Sequence, residues 1–267
     1  MEAKKTVDVT ELPYQSNPIE MIKPSFNAFM AMALEYCKLI VITIVSYIVL
    51  GIPALIAINS MSPLTLETVP SPSAIGLILL SVFLISAAGI YLSYAFIKIS
   101  LAAARGAKLT WQAALPKSFA DAWAVAWTML LASLIIVSGL VAFIVPGIFF
   151  AIRYSQVPYI VIDEGLTGMA ALRRSQELVA NRKMDLAGLF SLSEVVSAIK
   201  IIPVFGTIIL IGYSLITSPI MAIRYIQLTQ LSEEDRQSIP TNKLNYILLA
   251  IGIIVAIITS SAKKTYK

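Results

Sequence analysis

The sequence predicts an all-α, polytopic transmembrane helical bundle. It has about six core spans plus one C-terminal span, with a cytoplasmic amphipathic helix. Three observations predict this class. Hydrophobic residues make up 58% of the chain and charged residues only 13%, against roughly 45–50% apolar and about 25% charged in soluble domains. Apolar runs of about 18 residues or more, long enough to cross the hydrocarbon layer, recur along the chain, and the mean hydropathy is +0.84. These runs lack the period-2 alternation of an outer-membrane barrel strand.

Taken in order, residues 1–24 read as a flexible cytoplasmic arm. Pro13, Pro18 and Pro24 interrupt any helix there, and the arm lacks the compact apolar core of a signal peptide. Ser25 to Lys38 reads as an interfacial helix leading into span one, Leu39–Ile58, where Gly51 and Pro53 mark a kink. An outer loop, Asn59–Ser73, contains Glu67 and no Lys or Arg. Span two is Ala74–Ile97, with Ser86, Gly89 and Ser93 allowing a neighbouring helix to approach. Lys98, Arg105, Lys108 and Lys117 follow. Basic residues mark the cytoplasmic side, so this segment and the N-terminus are both expected inside.

Span three is expected at Trp123–Val145, an external turn at Pro146-Gly147, and span four at Ile148–Ile162 with Arg153 inside it. The following segment carries Arg173, Arg174, Arg182 and Lys183. It is cytoplasmic on charge, so an even number of crossings must separate it from the previous basic segment. A hairpin broken at Pro146-Gly147 meets that requirement. A single tilted helix, the rival, puts the two basic segments on opposite sides. Thr167–Ala180 has helical periodicity, with Gly168, Ala171, Leu172, Ser175 and Val179 on one face and Arg173, Arg174 and Glu177 on the other. That pattern predicts an amphipathic helix lying along the inner membrane surface or docked on the bundle, with Thr167 as its N-cap.

Span five, Asp185–Ile199, is the most polar. A turn follows at Ile201–Pro203, and span six covers Val204–Ile226 with Gly206, Gly212 and Pro219. The core is therefore residues 25–230, followed by a cytoplasmic linker at 231–243. Residues 244–267 supply the last helix, Leu244–Ser260, and a tail with Lys263, Lys264 and Lys267. Seven crossings from an inside N-terminus leave those lysines outside, against the charge rule. A re-entrant fifth span leaves six crossings and keeps the tail inside.

Ionisable residues within a membrane span are functional candidates because burying them is costly. Arg153 and Glu194 are the candidates here. Arg153 either snorkels outward or pairs with Glu194 to fix helix packing or line a polar cavity. The chain has no histidine and one cysteine, Cys37, which reads as a small buried hydrophobe. Hydrolytic chemistry finds no base, metal cluster, nucleophile elbow or phosphate loop, and no cofactor is called for. Asp163-Glu164 reads as a helix boundary. Ala151–Gln156 (Ala-Ile-Arg-Tyr-Ser-Gln) is echoed at Ala222–Gln227 (Ala-Ile-Arg-Tyr-Ile-Gln), either as a duplication or by chance in an apolar background.

One stretch carries a family resemblance. It combines Pro146-Gly147, the pair Arg153-Tyr154, Pro158 before an apolar run, the acidic pair Asp163-Glu164, and an Ala-Leu-x-x-Ser-x-x-Leu helix centred on Ser175. This resembles the membrane domain attached to some bacterial glycerophosphodiester phosphodiesterases, and related stand-alone membrane proteins. The resemblance implies a six-helix membrane core with the Ser175 helix inside the cell. It does not imply phosphodiesterase activity, which belongs to a separate soluble barrel.

The expectation is a non-enzymatic protein of the cytoplasmic membrane that organises, senses or scaffolds the envelope. A transporter or exporter subunit for a small or lipidic substrate is the alternative. Membrane lipids, other membrane proteins or further copies of the chain are its expected partners, and nucleic acid is not.

Overall fold

A computed structural model describes residues 13–59, 71–197 and 205–265; within these it leaves out the side chains of 144–145, 194, 197, 205–212, 214–216, 218 and 256–265. The expected outer-loop residues 60–70, the turn at 198–204 and the Glu194 side chain lie outside this description. All regular structure among the described residues is helical.

The first helix, α1 (Ile22–Asn59), is continuous. The expected interfacial segment runs into span one without a break, because no Pro or Gly falls between Ser25 and Leu50. Pro24 sits in the first turn, where its missing N–H costs nothing. The lower part of α1 buries one stripe, Ser25, Ala28, Met32, Tyr36 and Leu39, at the spacing of one helix face. Cys37 is exposed, which corrects the expected buried position: it is one residue off that stripe, turned about 100° away.

The second helix, α2 (Pro72–Ala104), starts at Ser71, whose hydroxyl accepts from the Ala74 amide at 3.3 Å. It runs past the expected end at Ile97 and stops at Gly106, with φ of 66°. There Ala107 N donates to Ala102 O at 2.9 Å and Gly106 N to Ala103 O at 3.2 Å, the paired bonds of a Schellman termination. α1 and α2 form an antiparallel hairpin: Tyr36 donates to Ser100 at 3.0 Å, and further along, the Tyr47 hydroxyl lies against Gly89. Beyond this contact the hairpin is almost bare. In the most apolar window of each helix only 6% of the residues are buried. Outward-facing Val45, Ile48, Ile52, Leu55, Leu79 and Phe83 are all exposed, a surface too large and apolar for water.

A short helix, α3 (Trp111–Ala114), precedes α4 (Phe119–Ala142). α4 starts earlier than expected because Ser118 and Asp121 form a reciprocal capping box. α1, α2 and α4 are each long and apolar enough to cross a membrane. α4 folds back into α5 (Ile144–Arg153) at Phe143, whose extended backbone joins the two helices. Pro146 and Gly147 are therefore not the turn itself; they form the first turn of α5, where Pro is tolerated. Gly147 is needed for closeness, since a Cβ there would stand 2.7 Å from the Leu140 amide nitrogen.

The return arm is not one helix. α5 ends at Arg153, and α6 (Val157–Asp163) begins after a turn. Pro158 accounts for the break, because its ring would clash with the carbonyl of Tyr154 in a continuous helix. Next comes α7 (Gly168–Val179), which buries Ala171, Leu172, Ser175, Leu178 and Val179. The predicted face is thus the buried one, and the helix is docked on the bundle. Thr167 holds the N-cap position but makes no side-chain cap bond; instead the Gly168 amide donates to Thr128 of α4 at 2.9 Å.

The remaining elements are α8 (Lys183–Ser197), α9 (Phe205–Gln230), the six-residue α10 (Glu233–Ser238) and α11 (Lys243–Thr265). α9 packs on α1 and α2, while α8 packs along α11. Small residues allow that second pairing. Gly188 lies against Asn245, and a Cβ on Gly252 would stand 2.9 Å from the Ser191 Cβ. The last helix is therefore the direct partner of the fifth expected span.

Candidate functional site

The polar residues of the fold gather at one end, here called the base, where α1 begins and α2 and α9 end. Two networks meet there. The first holds Asp163 and Glu164, at the C-terminus of α6. Arg105, just past α2, donates from one nitrogen to both Asp163 oxygens at 2.7 Å. Arg174 of α7 pairs with Glu164 at 3.0 Å. Between them stands the Tyr225 hydroxyl of α9, 3.0 Å from Asp163 and 3.1 Å from Glu164. Its single proton can serve one carboxylate at a time. The Tyr225 ring stacks on Tyr159 at 5.8 Å. The acidic pair is therefore a junction for α2, α6, α7 and α9, more than the helix boundary expected of it.

The second network is buried. Asp185 of α8 is fully enclosed and accepts from the Tyr14 hydroxyl at 2.6 Å and from Asn245 at 2.7 Å. The same Asn245 amide nitrogen donates to the Ser16 carbonyl at 2.9 Å. Two guanidiniums flank the Tyr14 ring, Arg182 at 5.0 Å and Arg224 at 4.8 Å from its centre, as cation–π neighbours. Arg182 lies 3.6 Å from Asp185 and donates to the Asp235 carbonyl at 3.3 Å. Arg224 contacts Met21 Sδ and Gln227. Burial pushes the Tyr14 phenol above its ordinary value, with the Arg224 charge pulling the other way. Tyr14 is therefore a proton donor to Asp185 at neutral pH.

This node ties the segment 13–21 to the bundle. Within that segment Asn17 accepts from the Ile19 amide at 3.0 Å, shaping the turn into α1. The flexible arm expected through residue 24 is thus anchored from residue 13 onward. The node also carries a charge imbalance: two enclosed arginines face one enclosed carboxylate. Several of their polar atoms, including Arg182 Nε and Arg224 Nε, have no hydrogen-bond partner among the described residues.

Of the residues singled out from sequence, Arg153 ends α5. Its carbonyl accepts from Ser175 of α7 at 2.8 Å, and its side chain makes no ion pair among the described residues. Glu194 lies outside the described side chains, so its pairing with Arg153 is not part of this geometry. Tyr154 accepts from Gln176 at 2.8 Å. Thus Arg153, Tyr154 and Ser175 form an α5–α7 contact; Pro158 accounts for the break that follows it in the chain; and Pro146 and Gly147 lie at the other end of α5. The two Ala-Ile-Arg-Tyr copies differ in setting: the first ends a helix, while the second lies within α9. Sequence reasoning missed Tyr14, Arg182, Asp185, Arg224 and Asn245. Arg224 carried a usable signal, an arginine within the apolar stretch Ile220–Ile226.

The fold and site define an all-helical protein with membrane-length apolar helices, pinned at one end by buried charge. No known protein family, no curated protein and no solved structure matches the chain.

Proposed function

We propose that this is a non-enzymatic, multi-pass protein of a bacterial cytoplasmic membrane that organises or senses the envelope from a rigid cytoplasmic base. One observation carries the reading: the carboxylates of the two networks are all taken up by groups of the base itself. Asp163, Glu164 and Asp185 are each held by an arginine and a tyrosine, and only Arg182, just before α8, comes from the same part of the chain as its carboxylate. A base built this way holds helices and the N-terminal strap in a fixed relation, a surface on which other membrane proteins or further copies of the chain can assemble. The positive residues of the base support a cytoplasmic position under the positive-inside rule, as the resemblance to phosphodiesterase membrane domains also implies.

The imbalance of two enclosed arginines against one carboxylate favours a second reading, a transporter subunit whose base opens to an anionic substrate. Solute flux separates the two. Proteoliposomes of the full chain should take up small anions no faster than empty vesicles, and amides of residues 182–189 and 221–228 should stay protected from exchange. Uptake above the empty-vesicle rate that Arg224→Gln abolishes would overturn the scaffold reading in favour of transport.

A further inference from the structure

A groove of about 470 Å³ runs between α5, α8 and α11, within the range of about 300–1,000 Å³ typical of ligand sites. Its walls are apolar: Ile148, Ile152, Ala187, Leu249 and Ile253. Ile148 and Ile253 are exposed, at 39% and 45%, so the groove opens outward from the bundle. Its basal end is different in kind, lined by Lys183, Asn181 and Thr241. Lys183 is the first residue of α8, and α11 begins nearby at Lys243.

Charge decides what fits. Among the described residues no acidic side chain lines the groove. Lys183 makes no ion pair among the described residues; its ammonium rests 4.7 Å over the Phe149 ring, on the groove wall. Asp185, two residues on, is turned away into the node with Tyr14 and Asn245. The start of α8 adds the positive end of a helix dipole at the same place. The groove thus pairs a long apolar cleft with an unmatched cation and polar side chains at its basal mouth. An amphiphile with a hydrocarbon chain and an anionic head has the complementary form, and basic pockets between helices on the cytoplasmic side suit lipid headgroups.

We propose that this groove binds one anionic glycerophospholipid, with an acyl chain along Ile148, Ala187, Leu249 and Ile253 and its phosphate at Lys183. The site rests on the proposed reading of a membrane protein whose base lies at the cytoplasmic surface. Bound there, the lipid bridges the α4–α5 hairpin to the α8–α11 pair, so the composition of the inner leaflet controls how firmly the two are joined.

The test is native mass spectrometry of the full chain in detergent, titrated with phosphatidylglycerol or with phosphatidylcholine of the same acyl chains. The wild type should retain one phosphatidylglycerol in preference to phosphatidylcholine. Lys183→Gln should weaken phosphatidylglycerol retention about fivefold, as expected for one lysine at a lipid phosphate, and leave phosphatidylcholine unchanged. Ile253→Trp fills the groove from an exposed position and should cut retention of both lipids. Lys108→Gln, at an exposed lysine in the connection between α2 and α3, should change neither. Wild-type retention from Lys183→Gln and Ile253→Trp alike would overturn the site, as would equal retention of the two lipids by the wild type. A wild type that retains no lipid would overturn it too, while leaving the scaffold reading to be judged by solute flux.

Discussion

Replacing Asp185 with Asn changes little in shape and much in charge. The amide keeps an oxygen that can accept from Tyr14, but it no longer offsets Arg182 and Arg224. Arg182 is 1% exposed and Asp185 and Arg224 are fully enclosed, so bulk water cannot take over the neutralisation. Removing one partner of a buried ion pair costs about 3–5 kcal/mol, because the remaining charge is left uncompensated. For a chain of this size each kcal/mol moves the melting temperature by about 2–4 °C, which gives an expected fall of about 6–20 °C. Thermal unfolding in detergent reads this directly. Hydrogen exchange should locate the loss in the 13–21 strap and the start of α11. Adding Arg182→Met should restore much of the stability, since it removes the charge that has lost its partner and keeps an apolar body of similar length. An Asp185→Asn protein that melts with the wild type would refute the reasoning, and so would a double variant no better than the single one.

Other consequences are smaller and local. Tyr14→Phe removes the 2.6 Å bond to Asp185; a hydrogen bond to a charged group contributes about 1.5–3 kcal/mol, and limited proteolysis should show the strap released while α1 and α2 stay intact. Arg105→Gln breaks the contact with Asp163, but Arg105 is 42% exposed, so chemical denaturation should show a change of about 1 kcal/mol or less that shrinks further in high salt. Gly147→Ala sets a methyl against the Leu140 backbone and should lower stability by about 1–3 kcal/mol through overpacking. Gly76→Ala, in the interior of α2 where a Cβ meets nothing within 4 Å, should instead raise stability by about 0.5–1 kcal/mol, the helix preference of Ala over Gly.

The elements most legible in the sequence are those whose signal is local. The α1–α2 hairpin follows from two long apolar runs, and the buried face of α7 follows from its periodicity. Other features depend on backbone chemistry that a hydropathy reading passes over. Ser118 and Asp121 extend α4 by a capping box. Pro158 splits the return arm, and the actual reversal falls at Phe143, which has no turn composition at all. The buried node was the hardest feature to see. Tyr14 and Asp185 are 171 residues apart in sequence, and each sits in or next to a stretch that reads as polar loop or span end. Only packing α8 beside α11, and the N-terminal strap beneath α9, brings their charges together. Arg224 alone stands in an apolar run, and the reasoning that drew attention to Arg153 applies to it with equal force.

The account depends above all on a membrane hairpin of α1 and α2 whose base lies on one side of the bilayer. Cys37 can be replaced by Ser to give a background without other thiols. Single cysteines at Ser71, Lys108 and Ser232 can then be challenged with an impermeant maleimide in intact and permeabilised cells. Ser71 should be labelled in intact cells, and Lys108 and Ser232 only after permeabilisation. Labelling of Ser71 and Lys108 from the same side would contradict the crossing of α2 and the membrane architecture built on it.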